Sequence, residues 1–230
     1  MALNKEVFKT RTITAIIFVV VMLAGLFING YSFTALFMII GAGCLYEFTK
    51  IMRLIKPGKH LKYLPIAVPY IIVPIFLMLG LGGVFKNDRF DSSGYSFLLP
   101  VAVILSIWTN DTMAYLVGSL IGKTPLSKIS PKKTWEGTIG GAVLCVVAMG
   151  LIGRFLPVAQ SLALHHWLAI AAICAVFGSL GDLFQSKLKR RAGVKDSGKF
   201  MPGHGGFLDR FDSLLLATPL VWVYVELFVR

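Results

Sequence analysis

Acidic residues are scarce in this chain, eleven in 230 positions, so the place of each one carries information. Glu47, Asp111, Asp182, Asp209 and Asp212 fall within or at the ends of apolar runs. A carboxylate in hydrocarbon is costly, so acids in such places mark a functional site or a satisfied internal pair. Asp209 and Asp212 are three residues apart and therefore neighbours on one helix face, while Asp182, Ser186 and Lys189 follow at spacings of four and three. Hard carboxylate oxygens suit Mg2+, which is commonly held by one or two carboxylates together with phosphate oxygens. No Cys/His set has the spacing of a zinc site.

Two of these acids border a polar segment, "SKLKRRAGVKDSGKFMPGHGGFLDRFDS", which places ten charged side chains between residues 186 and 213. Within it, Gly203, Gly205 and Gly206 lie just before an expected helix. The amides and dipole of a helix N-terminus favour an anion, and glycine lets backbone approach a phosphate closely. Ordinary turn chemistry would also account for the glycines. A second polar segment, "GKTPLSKISPKKTWEG", occupies residues 122–137. Ser130 followed by Pro131 reads as a helix start, which would put Lys132 and Lys133 in a first turn where the dipole disfavours cations. An external anion would relieve that conflict; the alternative is a basic loop touching lipid headgroups. Two basic segments beside metal-suited acids fit a polyphosphate site.

The elements that must position these groups are helices in a membrane. With 56% hydrophobic residues, 15% charged and a mean hydropathy of +0.76, the chain is too apolar for a soluble domain and reads as a single all-α, polytopic domain over residues 1–230. Runs near the roughly 20 residues needed to cross a bilayer lie at residues 12–29, 32–52, 63–84, 96–120, 137–156, 166–188 and 206–228. They predict seven spans, within a range of six to nine, with the Gly/Pro-rich third run readable as a broken or re-entrant pair. The first run has a basic flank and no small-residue cleavage site after it, as in a retained span rather than a signal peptide. Cys44, Cys145 and Cys174 sit in apolar runs as small core residues.

Eighteen of the 23 Lys and Arg residues fall on one side of this arrangement and four on the other, with Arg210 at the start of the last helix. The positive-inside rule then places the N-terminus in the cytoplasm. The five acids above gather toward that side, leaving Glu226 as an interfacial carboxylate at the other. The formal charge of +12 becomes a basic cytoplasmic face suited to anionic lipid and anionic ligands. Nucleic acid is disfavoured, since there is no basic domain or aromatic-studded surface to hold it.

The run Ser186-x-Leu188-Lys189-Arg190, Lys195-Asp196, His204-Gly205-Gly206, Asp209-Arg210-x-Asp212 resembles the signature of the phosphatidate cytidylyltransferases, or CDP-diacylglycerol synthases. "NDTMAYLVGSLIGKTPLSKISPKKTWEG" resembles that family's second polar block and "YEFTKI" its early acidic stretch. Met201 departs from the branched aliphatic residue more usual before the signature proline, and the chain has fewer spans before residue 95 than many bacterial relatives. The resemblance implies transfer of a cytidylyl group from CTP to phosphatidic acid, giving CDP-diacylglycerol and pyrophosphate. It also implies Mg2+, K+ as an assisting cation, a homodimer, and a bacterial cytoplasmic membrane with the active site facing the cytoplasm.

On the same basis Asp182 and Asp209 are expected as metal ligands, with Asp196 and Asp212 in supporting roles. Lys189, Arg190 and Lys195 would bind phosphates together with Lys132 and Lys133, and Ser186, Gly205, Gly206 and Arg210 complete the substrate-binding set. His204 would donate to the leaving pyrophosphate or order the glycine loop. Asp111, with Asn110 and Tyr115, would line the cavity, in a groove beside helices four, six and seven. A cytidylyltransferase acting on an ether lipid shares this motif chemistry, because the signature reads phosphates and not tails. A cation or proton transporter is the rival from another class, but it leaves the basic glycine loop unexplained.

Overall fold

The computed structural model describes residues 5–86, 89–90, 94–201 and 205–230, so Gly203 and His204 lie outside the described residues. Among the described residues, seven helical segments are long and apolar enough to cross a membrane: Lys9–Phe27, Gly30–Ile55, His60–Leu81, Leu98–Ile121, Trp135–Phe155, Leu164–Arg191 and Leu208–Phe228. Each coincides with one of the seven runs expected from hydropathy, which is the arrangement of a multi-pass membrane protein. The chain divides into two compact units, Met1–Phe97 with Leu188–Phe211, and Leu98–Lys187 with Asp212–Arg230.

In the first unit, α1 (Lys5–Phe27) and α2 (Gly30–Ile55) are joined by a turn of two residues. Asn29 makes the turn possible by capping α2: its side chain accepts from Ser32 N at 2.9 Å, and Ser32 Oγ accepts from Asn29 N at 3.1 Å. The third span is neither broken nor re-entrant. It runs as a 3-10 segment (His60–Ile66), a π turn (Val68–Ile72) and α3 (Val73–Leu81). Pro65, Pro69 and Pro74 each withdraw a backbone donor, and the helix changes its hydrogen-bond step around them instead of ending. A two-residue hairpin, β1 (Phe85–Lys86) with β2 (Arg89–Phe90), follows. Tyr95 then donates to Leu26 O at 2.6 Å, and burial pushes its phenol up to about 12.

The second unit is organised by α4 (Leu98–Ile121) and α5 (Trp135–Phe155), whose backbones touch. A Cβ added at Gly141 would stand 2.6 Å from the N and Cα of Ala114, and one at Gly137 would stand 2.8 Å from Ala114 O. Small residues four apart on both helices thus form the close crossing that replaces the missing hydrophobic driving force between helices in lipid. Between them the chain forms an antiparallel hairpin, β3 (Pro125–Ser127) with β4 (Ser130–Thr134).

This hairpin corrects the expected helix start at Ser130-Pro131, since Lys132 and Lys133 lie on a strand. The cap is Thr134, whose Oγ1 accepts from Gly137 N at 3.1 Å. Glu136, in the first turn, accepts from the amides of Lys123 and Thr124 and from Thr124 Oγ1 at 2.8 Å. That ties the base of the hairpin to α5. α6 (Leu164–Arg191) and α7 (Leu208–Phe228) also meet through small residues, for a Cβ at Gly181 would stand 2.5 Å from Asp212 O. Cys44, Cys145 and Cys174 are all buried, as expected.

Gly141→Val is expected to destabilise the protein by at least about 1–3 kcal/mol, because backbone and not a flexible side chain opposes the new methyls. Thermal unfolding in detergent checks this. Val143→Leu, at an exposed position of the same helix, should leave the midpoint unchanged.

Candidate functional site

The polar segment after α6 is laid down by a helix stop. Gly193 has φ of +69, Val194 N donates to Lys189 O at 3.0 Å and Gly193 N donates to Arg190 O at 3.2 Å. These are the two bonds of a Schellman motif, with glycine at the left-handed position. The chain then doubles back and passes Glu47 of α2. Ser197 Oγ donates to Glu47 Oε2 at 2.6 Å, and Leu208 N, the first amide of α7, donates to the same oxygen at 3.0 Å. Glu47 is 3% exposed. Its charge therefore lies at the N-terminus of α7, where the dipole favours an anion.

Asp209 is gripped by the same segment. Ser197 N donates to its Oδ2 at 2.8 Å, Gly206 N to Oδ2 at 3.0 Å, and Lys189 Nζ to Oδ1 at 2.7 Å. Ser197 thereby links the two acids, giving its hydroxyl to one and its amide to the other. A Cβ at Gly206 or Gly198 would overlap the carboxylate of Glu47, and one at Gly205, where φ is +89, would stand 2.6 Å from Asp209 Oδ2. The glycines expected to admit a phosphate thus have a more immediate reason to be small. Two carboxylates occupy the space where side chains would be, and the Gly206 amide is already bound to one of them.

In the second unit, Lys133 of β4 pairs with Asp182 of α6, both about one third exposed, and Ser186 Oγ donates to Asp182 Oδ1 at 3.3 Å. Asn110 is buried, with Nδ2 lying 3.5 Å from Ser179 Oγ and Oδ1 lacking a hydrogen-bond partner among the described residues. Asp212 is buried and its Oδ1 accepts from Ser213 N at 2.8 Å. Of the remaining expected residues, Asp111, Tyr115, Lys132, Arg190, Lys195, Asp196 and Arg210 are exposed. Ser197 was absent from the expected set although it holds both acids of the first unit. Glu47 is expected from the sequence only as one of five acids gathered toward one side of the membrane.

Among the described residues, no three His, Cys, Asp or Glu side chains are grouped to hold a metal ion. A divalent cation would therefore draw most of its shell from water and phosphate oxygens, the habit of Mg2+. Asp209 in the first unit and Asp182 in the second are each a hard oxygen donor paired with one lysine ammonium.

A sequence model of the cytidylyltransferase family matches residues 70–228. Phosphatidate cytidylyltransferase of Bacillus subtilis is 44% identical over 140 residues, 60% of this chain and 50% of that protein. Phosphatidate cytidylyltransferase of Staphylococcus saprophyticus is 45% identical over 131 residues, 56% of this chain and 49% of that protein. The chloroplastic phosphatidate cytidylyltransferase 4 of Arabidopsis thaliana is 45% identical over 131 residues, 55% of this chain and 32% of that protein. The alignments thus take in about half of the bacterial relatives and a third of the plant one.

The overlap of Gly206 with Glu47 yields a double-mutant cycle. Glu47→Ala leaves Ser197 Oγ and Leu208 N without their acceptor, at a cost of about 1–3 kcal/mol, and Gly206→Ala alone should cost a similar amount. In the double variant the second substitution should be much cheaper, because the carboxylate it would strike is gone. Chemical or thermal unfolding of the four proteins measures the coupling, and strict additivity would contradict the contact.

Proposed function

The chain belongs to the cytidylyltransferase family, and from that premise we propose that it transfers a cytidylyl group from CTP to phosphatidic acid, giving CDP-diacylglycerol and pyrophosphate. The match over residues 70–228, which takes in both polar segments, carries this reading. The seven apolar spans support it as well, since an enzyme seated in the bilayer meets a lipid substrate where that lipid diffuses. The resemblance and the distribution of Lys and Arg further support a single domain in a bacterial cytoplasmic membrane, with the N-terminus and the site on the cytoplasmic side. K+ and a homodimer rest on the resemblance alone.

The chemistry asks for charge management more than for a base. A phosphate monoester has its second pKa near about 6, so at neutral pH phosphatidate is already largely a dianion and a nucleophile. One of its oxygens attacks the α-phosphorus of CTP, the bond to the bridging oxygen breaks, and pyrophosphate departs with that electron pair. The obstacles are repulsion between two anions and charge accumulating on the α-phosphoryl and leaving group. Lys189, Arg190 and Lys195, with Lys132 and Lys133 on the hairpin, are the cations assigned to hold these phosphates. Asp182 and Asp209 are assigned as the carboxylates that hold Mg2+, with Asp196 and Asp212 supporting. When bound, Mg2+ supplies Lewis-acid neutralisation of phosphoryl oxygens.

The salt bridges give the lysines a second task. Lys133 and Lys189 neutralise Asp182 and Asp209, and a cation held by those carboxylates would supply that positive charge instead, leaving both ammonium groups for phosphate. Ser197 and Gly206 continue to orient Asp209 throughout, so that carboxylate need not reorganise. His204, outside the described residues, is assigned to the pyrophosphate.

Purified protein in mixed micelles should form CDP-diacylglycerol from CTP and phosphatidate when Mg2+ is present, and chelation should abolish the product. Asp182→Asn and Asp209→Asn should each lower kcat by about 100-fold or more with the melting midpoint retained for Asp182→Asn. Near-normal turnover in either variant would remove that residue from the metal role.

A further inference from the structure

The segment that holds Glu47 and Asp209 has a second, apolar face. On its polar side Ser197 and Gly206 bind the two carboxylates. On the other, Phe200 and Phe207 pack with ring centroids 4.1 Å apart and their planes tilted by 32°, and Met201 N donates to Gly205 O at 2.9 Å, drawing the two aromatic residues together. Phe200, Met201 and Phe207 form one wall of a cavity of about 440 Å³, entirely within the first unit, whose other walls are α1, α2 and Phe211 at the start of α7. Its polar lining side chain, Thr14, already donates to Thr10 O at 2.8 Å. A polar group entering it would find almost no hydrogen-bond partner, so the cavity suits hydrocarbon.

The cavity also opens to the lipid phase. Ile17, Val21 and Ile39, on its α1 and α2 walls, are 58%, 51% and 61% exposed and lie within two of the membrane spans. Its volume falls in the usual range of small-molecule sites, about 300–1,000 Å³.

Resting on the proposed cytidylyl transfer, we infer that this cavity receives one acyl chain of the phosphatidate substrate, whose phosphate is assigned to Lys189, Arg190 and Lys195 on the same stretch of chain. A phosphatidate molecule needs just this adjacency, for its hydrocarbon begins a few bonds from its phosphate. The site selects shape more than it adds affinity. A tail leaving bilayer hydrocarbon for protein hydrocarbon gains no hydrophobic free energy, and what remains is packing and alignment. Met201, with its unbranched and polarisable side chain, gives the wall an adaptable surface.

The test compares phosphatidates with long and short tails. Val21→Trp and Ile39→Trp fill the cavity from opposite walls at exposed positions where folding is least at risk. Each should raise KM for dipalmitoyl phosphatidate about tenfold while leaving KM for the dihexanoyl lipid and for CTP within about twofold. An unchanged ratio of long-chain to short-chain KM in both variants would overturn the assignment. Independently of turnover, phosphatidate carrying a diazirine near the end of one acyl chain should label wild-type protein on α1, α2, Phe200, Met201, Phe207 or Phe211. Labelling confined to other helices, or the same face crosslinking a second copy of the chain in place of lipid, would also overturn it. If wild-type protein makes no cytidylyl product from any phosphatidate but cavity labelling persists, the enzymatic reading fails and the acyl-chain site stands.

Discussion

Glu47 sits at a buried position inside an apolar helix, where a carboxylate must be supplied with hydrogen-bond donors. The first unit is built around that need. The donors come from residues some 150 positions later in the chain, the hydroxyl of Ser197 and the amide of Leu208. To deliver them, α6 must stop at Gly193, the chain must fold back across α2, and α7 must begin with its amino end aimed at the acid. Because Leu208 N is otherwise an orphan donor of a helix terminus, one bond satisfies two groups that would each be costly alone.

The same constraint explains the composition of the segment. Asp209 reaches back to Gly206 and across to Ser197, so two carboxylates converge on a short stretch of backbone and leave no room for side chains at Gly198, Gly205 and Gly206. Lys189 supplies the neighbouring positive charge, and it can do so because the Schellman stop keeps the end of α6 beside the returning loop. A glycine-rich turn before a helix is therefore compatible with anions at two levels. Here the protein's own carboxylates occupy the backbone donors, and Lys189 supplies a neighbouring cation.

Much of the fold was legible because a bilayer imposes its length on the sequence. All seven spans were located from apolar runs, even where acids interrupted them, since one or two charges barely alter an average over such a window. The hairpin at residues 125–134 was not legible. Ser130-Pro131 satisfies the rule for a helix start as well as it satisfies a strand, and the deciding facts, Thr134 capping Gly137 and Glu136 holding Thr124, depend on a contact across the loop. In the site, Asp182 with Ser186 could be read from spacing because a single helix brings them together. The joining of Glu47 to Ser197 could not, for no local periodicity links residues 150 apart. The signal that was present, a buried-type acid in α2 and a cluster of glycines before α7, indicated that each lacked an explanation without showing that each explained the other.

A loop held by hydrogen bonds on one side presents its other side in register with them. Phe207 lies between Gly206, whose amide binds Asp209, and Leu208, whose amide binds Glu47, so its ring is placed beside both carboxylates. The spacing between a polar contact and an apolar wall is thus set by covalent geometry and by a few short hydrogen bonds, and not by the fluid arrangement of lipid around the helices. The proposed substrate is part phosphate and part hydrocarbon, and alignment of both parts by one segment would convert membrane diffusion into a defined approach. That is a physical reason for a membrane protein to bury acids beside its most polar loop.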